Sequence, residues 1–351
     1  MPDIKLTDFD TSKCPDFTPN NNFHACFYYD PADNPAEMGY CKQSIKYFRC
    51  LADVKVRSLP LSHSSVQDFL TCHHLFYLKK LRGIEIKNAA TSSPIKCGKL
   101  WDTVKQVHLG EGNVQTIKNV INSYEILDKD IAKVKGIYRA YEKLEINVDP
   151  DFELQAPINQ FLDFDGSLWA GKVPVKLLIT GFYDRKYPNH FTEDKFTSRP
   201  DNYLDPFFIQ SQVATYFLAD PNLQSVTMEI VRSPDLKSTG KNKEEDPVTY
   251  GERVFQDVIS RPSHYFIGYD RDTNRYGKKF FRSEFDLESV QSRFVHILRE
   301  IYGAMIFDGW YKSDKSCGAV LPGIPCDMKP ICRYNNMSES IYQIRQRSIT
   351  F

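Results

Sequence analysis

The chain of 351 residues carries 45 basic and 45 acidic side chains, so no global field draws it to nucleic acid or a membrane, and any anionic partner has to be held by a local basic patch. An apolar content of 41% suffices for a packed core in one large domain or two smaller ones. No apolar run approaches the roughly 18 residues of a membrane span, and the acidic start MPDIKLTDFD lacks the regions of a signal peptide, so the cytoplasm is the expected location.

Residues 1–55 are rich in Pro, Asn, Asp and aromatics and show no helical period. They carry Cys14, Cys26, Cys41 and Cys50, four of the nine cysteines, and a reducing compartment favours metal ligation over disulfides. Two readings stand for this module. It is a zinc site of four thiolates, with His24 as a substitute ligand, or a loop-rich arm with unliganded thiols; the spacing has no CxxC knuckle.

From Ser64 the pattern turns helical, with Ser64 and Gln67 as a capping box, Val66, Phe69 and Leu70 opening an apolar stripe, and Gly83 as the stop. Cys72 lies on this helix, where a lone cysteine reads first as a small buried hydrophobe. Lys96 to His108 is a second helix, and Ile117 to Leu144 supplies one or two more. Strands follow at 153–164, 175–187 and 191–198. Gly166 to Lys172, GSLWAGK, matches most of a phosphate-binding loop, but Val173 stands where a magnesium-binding Ser or Thr is needed and no helix follows, so no ATPase is expected. Residues 206–219 read as a buried helix, 225–231 as a strand, 235–247 as a charged loop, 265–269 and 279–282 as short strands, and 287–307 as a long amphipathic helix.

The stretch GFYDRKYPNHFTEDK, 181–195, carries the chemistry. A strand stops at Asp184, Pro188 lies in a turn, and the next strand's alternation puts Glu193 and Lys195 on one face with Asp194 and Phe196 on the other. Alone, this pattern is equally that of a solvated hairpin. Its context is Gly98-x-x-x-Asp102 on the helix before it and Gln212-x-x-x-Tyr216 on the helix after it. In this order the motifs resemble the PD-(D/E)XK nuclease superfamily, RecB-like branch, over roughly residues 64–332.

The resemblance implies an α/β fold, a mixed central sheet flanked by helices with a restriction-endonuclease-like core, spanning 56–351 after the cysteine module at 1–55. It implies a catalytic set of Asp184, Glu193, Lys195, Gln212 and Tyr216, with Asp102, Asp184, Glu193 and the neighbouring Asp194 as the magnesium or manganese set. The family's first helix usually has a histidine where this chain has Asp102, a harder ligand that suits magnesium. Glu153 is a further acidic candidate, against the plainer reading of an exposed strand residue; His108, six residues after Asp102, falls on the wrong helix face.

Cys72 upstream and Cys317-x8-Cys326-x5-Cys332 downstream resemble the four-cysteine 4Fe-4S arrangement of RecB-like nucleases such as the AddB subunit and the CRISPR-associated exonucleases. By that resemblance the segment 310–335 staples the C-terminal region to the first helix; zinc in the same four thiolates is the competing reading. The implied activity is metal-dependent exonucleolytic hydrolysis of DNA at single-stranded ends, in recombination, repair or processing, including the phage or mobile-element type. The alternatives are a CRISPR-adaptation-type trimming nuclease and a nucleic-acid-binding subunit whose site has decayed. Lys79, Lys80 and Arg82, or Arg271, Arg275, Lys278, Lys279 and Arg282, are the candidate phosphate contacts, with Tyr265, Phe266, Phe280 and Phe281 beside them as stacking partners. Against these stands the reading of a solvated charged face over core aromatics.

Overall fold

The computed structural model describes residues 57–88, 91–163, 175–237, 245–307, 309–313, 326–334, 337–339 and 341–344. The module at 1–55 with Cys14, Cys26, Cys41 and Cys50, the GSLWAGK stretch and Cys317 lie outside the described residues.

In chain order the elements are β1 (Arg57–Leu61), α1 (His63–Thr71), α2 (His73–Phe76) running into a π turn (Tyr77–Leu81), β2 (Ile84–Ile86), α3 (Ser93–His108), α4 (Val114–Tyr124) and α5 (Asp128–Lys143). Then come β3 (Glu153–Asp163), β4 (Val175–Lys186), β5 (His190–Thr197), α6 (Pro206–Ala219), β6 (Ser225–Arg232), α7 (Pro247–Ser260), α8 (Pro262–Tyr265), β7 (Lys278–Phe281), α9 (Leu287–Phe307), α10 (Lys329–Tyr334) and β8 (Tyr342–Ile344).

Among the described residues six strands form one mixed sheet, and β2 pairs separately with β8. β3 lies antiparallel along β4, from Glu153 opposite Lys186 to Asp163 opposite Lys176. The other edge of β4 is shared. β1 runs parallel beside residues 175–179, and β5 meets β4 antiparallel only at Arg185 opposite Thr192 and Lys186 opposite Phe191. β5, α6 and β6 make a parallel crossover unit, and β7 closes the edge. Among the described residues the shared edge of β4 carries no strand partner between Ile179 and Arg185, and this gap positions the site.

Helices cover both faces. On one, α1, α6 and α9 bury Phe69, Val213, Phe217, Phe294 and Ile297 against Ile158, Ile179, Phe191 and Met228 of the sheet. On the other, α3, α5 and α7 bury Trp101, Ile137, Tyr141 and Val254 against Val231, Phe266 and Tyr276. Two-sided coverage explains why β6 is buried along most of its length although its sequence alternates, with Val226, Met228 and Ile230 in one core and Val231 in the other.

The helix expected from Ser64 to Gly83 is two pieces, because Cys72 sits in an extended conformation (φ −167°, ψ 123°) between α1 and α2. The cap is also shifted by two residues: Ser62, paired with Ser65, forms the capping box rather than Ser64 with Gln67, since β1 ends at Leu61 directly before it. Gly83 does end the segment, at φ 65°, a conformation that favours glycine. Helix α7 takes up the end of the expected 235–247 loop; Asp246 caps it and Pro247 occupies its first turn. The strand expected at 265–269 is a helical turn followed by a single bridge, Phe266 opposite Val231, because β7 already pairs with β6 from Ser225 to Met228.

Candidate active site at a strand fork

Strands β4 and β5 part just where the acids lie. The rung after Arg185–Thr192 would set Asp184 against Glu193, and it is not formed. Asp184 Oδ2 instead accepts the backbone N–H of Asp194 at 2.7 Å, so a carboxylate takes the place of a ladder carbonyl and the strands open. From the other side Gln155 Nε2 donates to Asp184 Oδ1 at 3.3 Å. Gln155 stands opposite Asp184 on β3 with φ 50°, a left-handed backbone whose strain, of order 1–3 kcal/mol, is of the kind held at functional sites.

The alternation of β5 turns Glu193 and Lys195 under α6. Lys195 Nζ donates to Glu193 Oε2 at 2.9 Å, and Gln212 Nε2 donates to the same oxygen at 2.9 Å while standing 3.3 Å from Tyr216 Oη. Gln212 and Tyr216 share a helix face one turn apart, and the Tyr216 ring packs on Tyr183 and Phe191 with centroids 5.3 and 5.6 Å away. The Glu193 side chain is 3% exposed and that of Lys195 is 20% exposed, so the ammonium reaches solvent over a buried carboxylate. Burial pushes the Glu193 carboxyl up to about 8, with Lys195 pulling the other way and Asp184 adding to the rise. Burial alone would lower the Lys195 ammonium, but Glu193 and Asp184 hold it above its ordinary value. Glu193 Oε1 is buried with no hydrogen-bond partner among the described residues.

Asp194 does not join this set. Its carboxylate points to the opposite face, where it pairs with Lys105 and lies 3.4 Å from Arg185 Nη2. Lys105 Nζ also bonds Glu229 Oε2 at 2.6 Å, and Arg185 bonds the same oxygen at 2.7 Å. Two cations and two carboxylates thus neutralise one another between β4, β5, β6 and α3, so the Asp194 side chain stands apart from Glu193; strand alternation sends neighbouring side chains to opposite faces. Asp102 contacts its own helix, pairing with Lys99 at 3.0 Å and accepting from Gln106 at 2.9 Å. Glu153 is exposed at the start of β3.

At least four of the eight candidate phosphate contacts have partners within the fold. Lys79 pairs with Asp68, Arg275 with Asp149, and Lys278 donates to the Leu204 carbonyl at 2.7 Å. Arg282 donates to the Phe217 carbonyl at 2.7 Å and so satisfies the C-terminal end of α6. Tyr265, Phe266 and Phe280 are core, while Phe281 is 54% exposed.

Cys72, Cys326 and Cys332 belong to one buried cluster with Leu75, Tyr77, Met328 and Tyr342. The break at Cys72 turns its sulfur toward the C-terminal segment, where Sγ accepts the Ser313 N–H at 3.4 Å. Among the described residues no three His, Cys, Asp or Glu side chains stand in an arrangement that could hold a metal ion. No helix there is long and apolar enough to cross a membrane.

The expected Asp184, Glu193, Lys195, Gln212 and Tyr216 are therefore brought together; Asp102 and Asp194 are not. The buried Lys105 and the supporting Gln155 were missed. Lys105 had a signal, because it lies four residues after Trp101 on the apolar stripe of α3, where a lysine needs a buried partner. Gln155 had none.

No family model matches this sequence, and no curated protein matches it. Among solved structures, one titled "Crystal structure of SSO0001" is similar at 14% identity over 62% of this chain and 81% of that chain, with a TM-score of 0.23. That likeness carries no argument about function, which rests on the site alone.

Proposed function

We propose that this protein is a metal-dependent deoxyribonuclease of the RecB-like PD-(D/E)XK kind, hydrolysing phosphodiester bonds at single-stranded DNA ends. The observation that carries the reading is the convergence of Lys195 and Gln212 on Glu193 Oε2, with Asp184 at the fork beside them.

The donor set fits a hard divalent cation. Glu193 presents a buried oxygen with no partner among the described residues and feels the Asp184 carboxylate, a pair that a cation would relieve. Asp184 and Glu193 would hold it. The chemistry that magnesium or manganese would supply there is Lewis-acid polarisation of the scissile phosphate and acidification of water. Gln212 fixes the rotamer of Glu193, and Gln155 together with the Asp194 N–H fixes that of Asp184. Lys195, donating to Glu193 and reaching solvent, stands as an ammonium that orients the attacking water and stabilises charge growing on the phosphate. Tyr216 packs beneath the site and keeps Gln212 in place.

Cys72, Cys326 and Cys332 share one buried apolar cluster without forming a metal-holding group among the described residues, and in this reading they would be completed by Cys317 as the all-thiolate set of a 4Fe-4S cluster. Their role in this reading is structural: they tie the segment around α10 to α2, alongside the β2–β8 pair.

The test is incubation of the purified protein with magnesium or manganese and end-labelled single- and double-stranded oligonucleotides. Shortening of the single strand, stopped by chelator and lost in Asp184→Ala and Lys195→Ala, is the expected result. Full activity in both purified variants overturns the assignment.

A further inference from the structure

The opposite face of the sheet holds a second constellation. Arg185 stands opposite Thr192, Thr192 opposite Thr227 and Thr227 opposite Lys279, so β4, β5, β6 and β7 present one row that runs straight across four strands. Strand alternation places this row on the side of Asp194, away from Glu193 and Lys195. Neighbouring strands lie about 4.8 Å apart, so its end Cα atoms are about 14 Å apart. The row has a cation at each end and two hydroxyls between them.

These four side chains line a cavity of about 280 Å³, at the small end of the range for ligand sites, which suits a metabolite rather than a polymer. The loop before β7 walls it through Gly268 and Gly277; a Cβ on Gly277 would lie 2.9 Å from Thr227 Cγ2, so a side chain there would crowd the row. The acids around the cavity are already engaged. Glu229 is held by Arg185 and Lys105, and Asp149 by Arg275, while Asp270, exposed at the rim, accepts from the Asp272 N–H at 3.0 Å and the Thr273 hydroxyl at 2.9 Å. The donors of the row are not. The Arg185 side chain is 1% exposed, yet its Nε has no hydrogen-bond partner among the described residues. The Thr192 and Thr227 hydroxyls make no hydrogen bond there either, and Lys279 forms no ion pair, its ammonium lying 5.5 Å from the centroid of the Phe281 ring. A buried donor without an acceptor is costly, and an oxyanion in the cavity removes that cost.

Tyr187 and His190 also line the cavity, and their rings stack with centroids 4.0 Å apart and planes 9° apart. A flat ligand ring extends such a stack, whereas a sugar phosphate gains nothing from it. We infer that this cavity is a second ligand site for a small molecule of the nucleoside monophosphate class. Its phosphate sits at the Thr192 and Thr227 hydroxyls between the two cations, and its base lies against the Tyr187 and His190 pair. The site is independent of the nuclease reading, whose residues lie on the other face of the sheet.

The test is isothermal titration calorimetry of the full chain in chelator, with AMP, adenosine and inorganic phosphate as separate probes. AMP is expected to bind at one site per chain, and each of the two fragments about tenfold more weakly or worse. Lys279→Ala, at an exposed position, is expected to keep the wild-type melting temperature and weaken AMP about tenfold; Thr227→Val, similar in shape but without the hydroxyl, is expected to weaken it about fivefold. Lys195→Ala, on the other face, should bind AMP as wild type does. A wild type that does not bind AMP overturns the site, and so does unchanged affinity in both cavity variants. Loss of binding in Lys195→Ala would move the nucleotide to the fork and overturns it as well. Adenosine or phosphate binding as tightly as AMP overturns the nucleotide class. Cleavage of DNA at the fork, assayed separately in magnesium, stands or falls apart from all of these.

Discussion

Asp194 donates its backbone N–H to Asp184 Oδ2 at 2.7 Å while its own carboxylate is paired with Lys105 on the other side of the sheet. One residue therefore joins the two faces: the buried ion network holds β5 in position, and β5 in turn presents the N–H that orients the acid at the fork. Asp184→Asn keeps an oxygen to accept that N–H but loses the charge. Hydrolysis is expected to fall by roughly 10²–10³-fold with the melting temperature unchanged or raised. An oligonucleotide cleavage assay beside a thermal melt checks this, and undiminished cleavage by the variant contradicts it.

Glu193 makes the metal-free protein sensitive to pH. Its folded-state value, raised to about 8, lies above that of an unfolded glutamate, so its contribution to stability is fully present below about pH 4 and is lost as the pH climbs through about 8. Lys195 is raised from an already high value and adds no slope in that window. Glu193→Gln stays neutral throughout. Melting temperatures measured in chelator from pH 5 to 9 should fall less steeply in the variant than in wild type, and added magnesium should stabilise wild type at pH 8 but not the variant.

The Lys105 network carries a stability cost when broken. Lys105→Met leaves Asp194 and Glu229 sharing only Arg185, an uncompensated buried charge expected to cost about 3–5 kcal/mol. Adding Asp194→Asn restores neutrality and should recover part of it. Denaturant melts of the single and double variants decide; equal losses in both would remove charge balance as the cause.

Helices α5 and α7 cross where Gly136 meets Gly251. A Cβ on Gly136 would lie 2.6 Å from the Gly251 carbonyl oxygen, a backbone atom that cannot swing aside. Gly136→Ala is expected to destabilise by about 1–3 kcal/mol despite its better helix propensity. A urea titration reads this directly, and a stabilised variant would show that the crossing can widen freely.

If Cys72, Cys317, Cys326 and Cys332 hold a 4Fe-4S cluster, anaerobically purified protein contains about four iron and four sulfide per chain. Cys326→Ser should lose most of both and melt earlier, because the C-terminal segment loses its tie to α2. Zinc with no sulfide in the wild type would instead identify an all-thiolate zinc site.

The chain's local order was readable from the residues in a row. Residues 206–219 and 287–307 form the expected helices, the strands around 153–163, 175–186 and 190–197 fall within a few residues of expectation, and the 193/195 and 212/216 spacings gather four site residues, because these features depend on periods of two and 3.6 that neighbours enforce. Tertiary structure alone decided the rest. That Asp184 ends a rung instead of extending it, that Asp194 belongs to Lys105, that Cys72 breaks a helix to face Ser313, and that His63 meets Ser211 more than a hundred residues away are all outcomes of long-range pairing and burial. The sequence determined which side chains could do chemistry; competition among distant partners for the same buried space determined which of them meet.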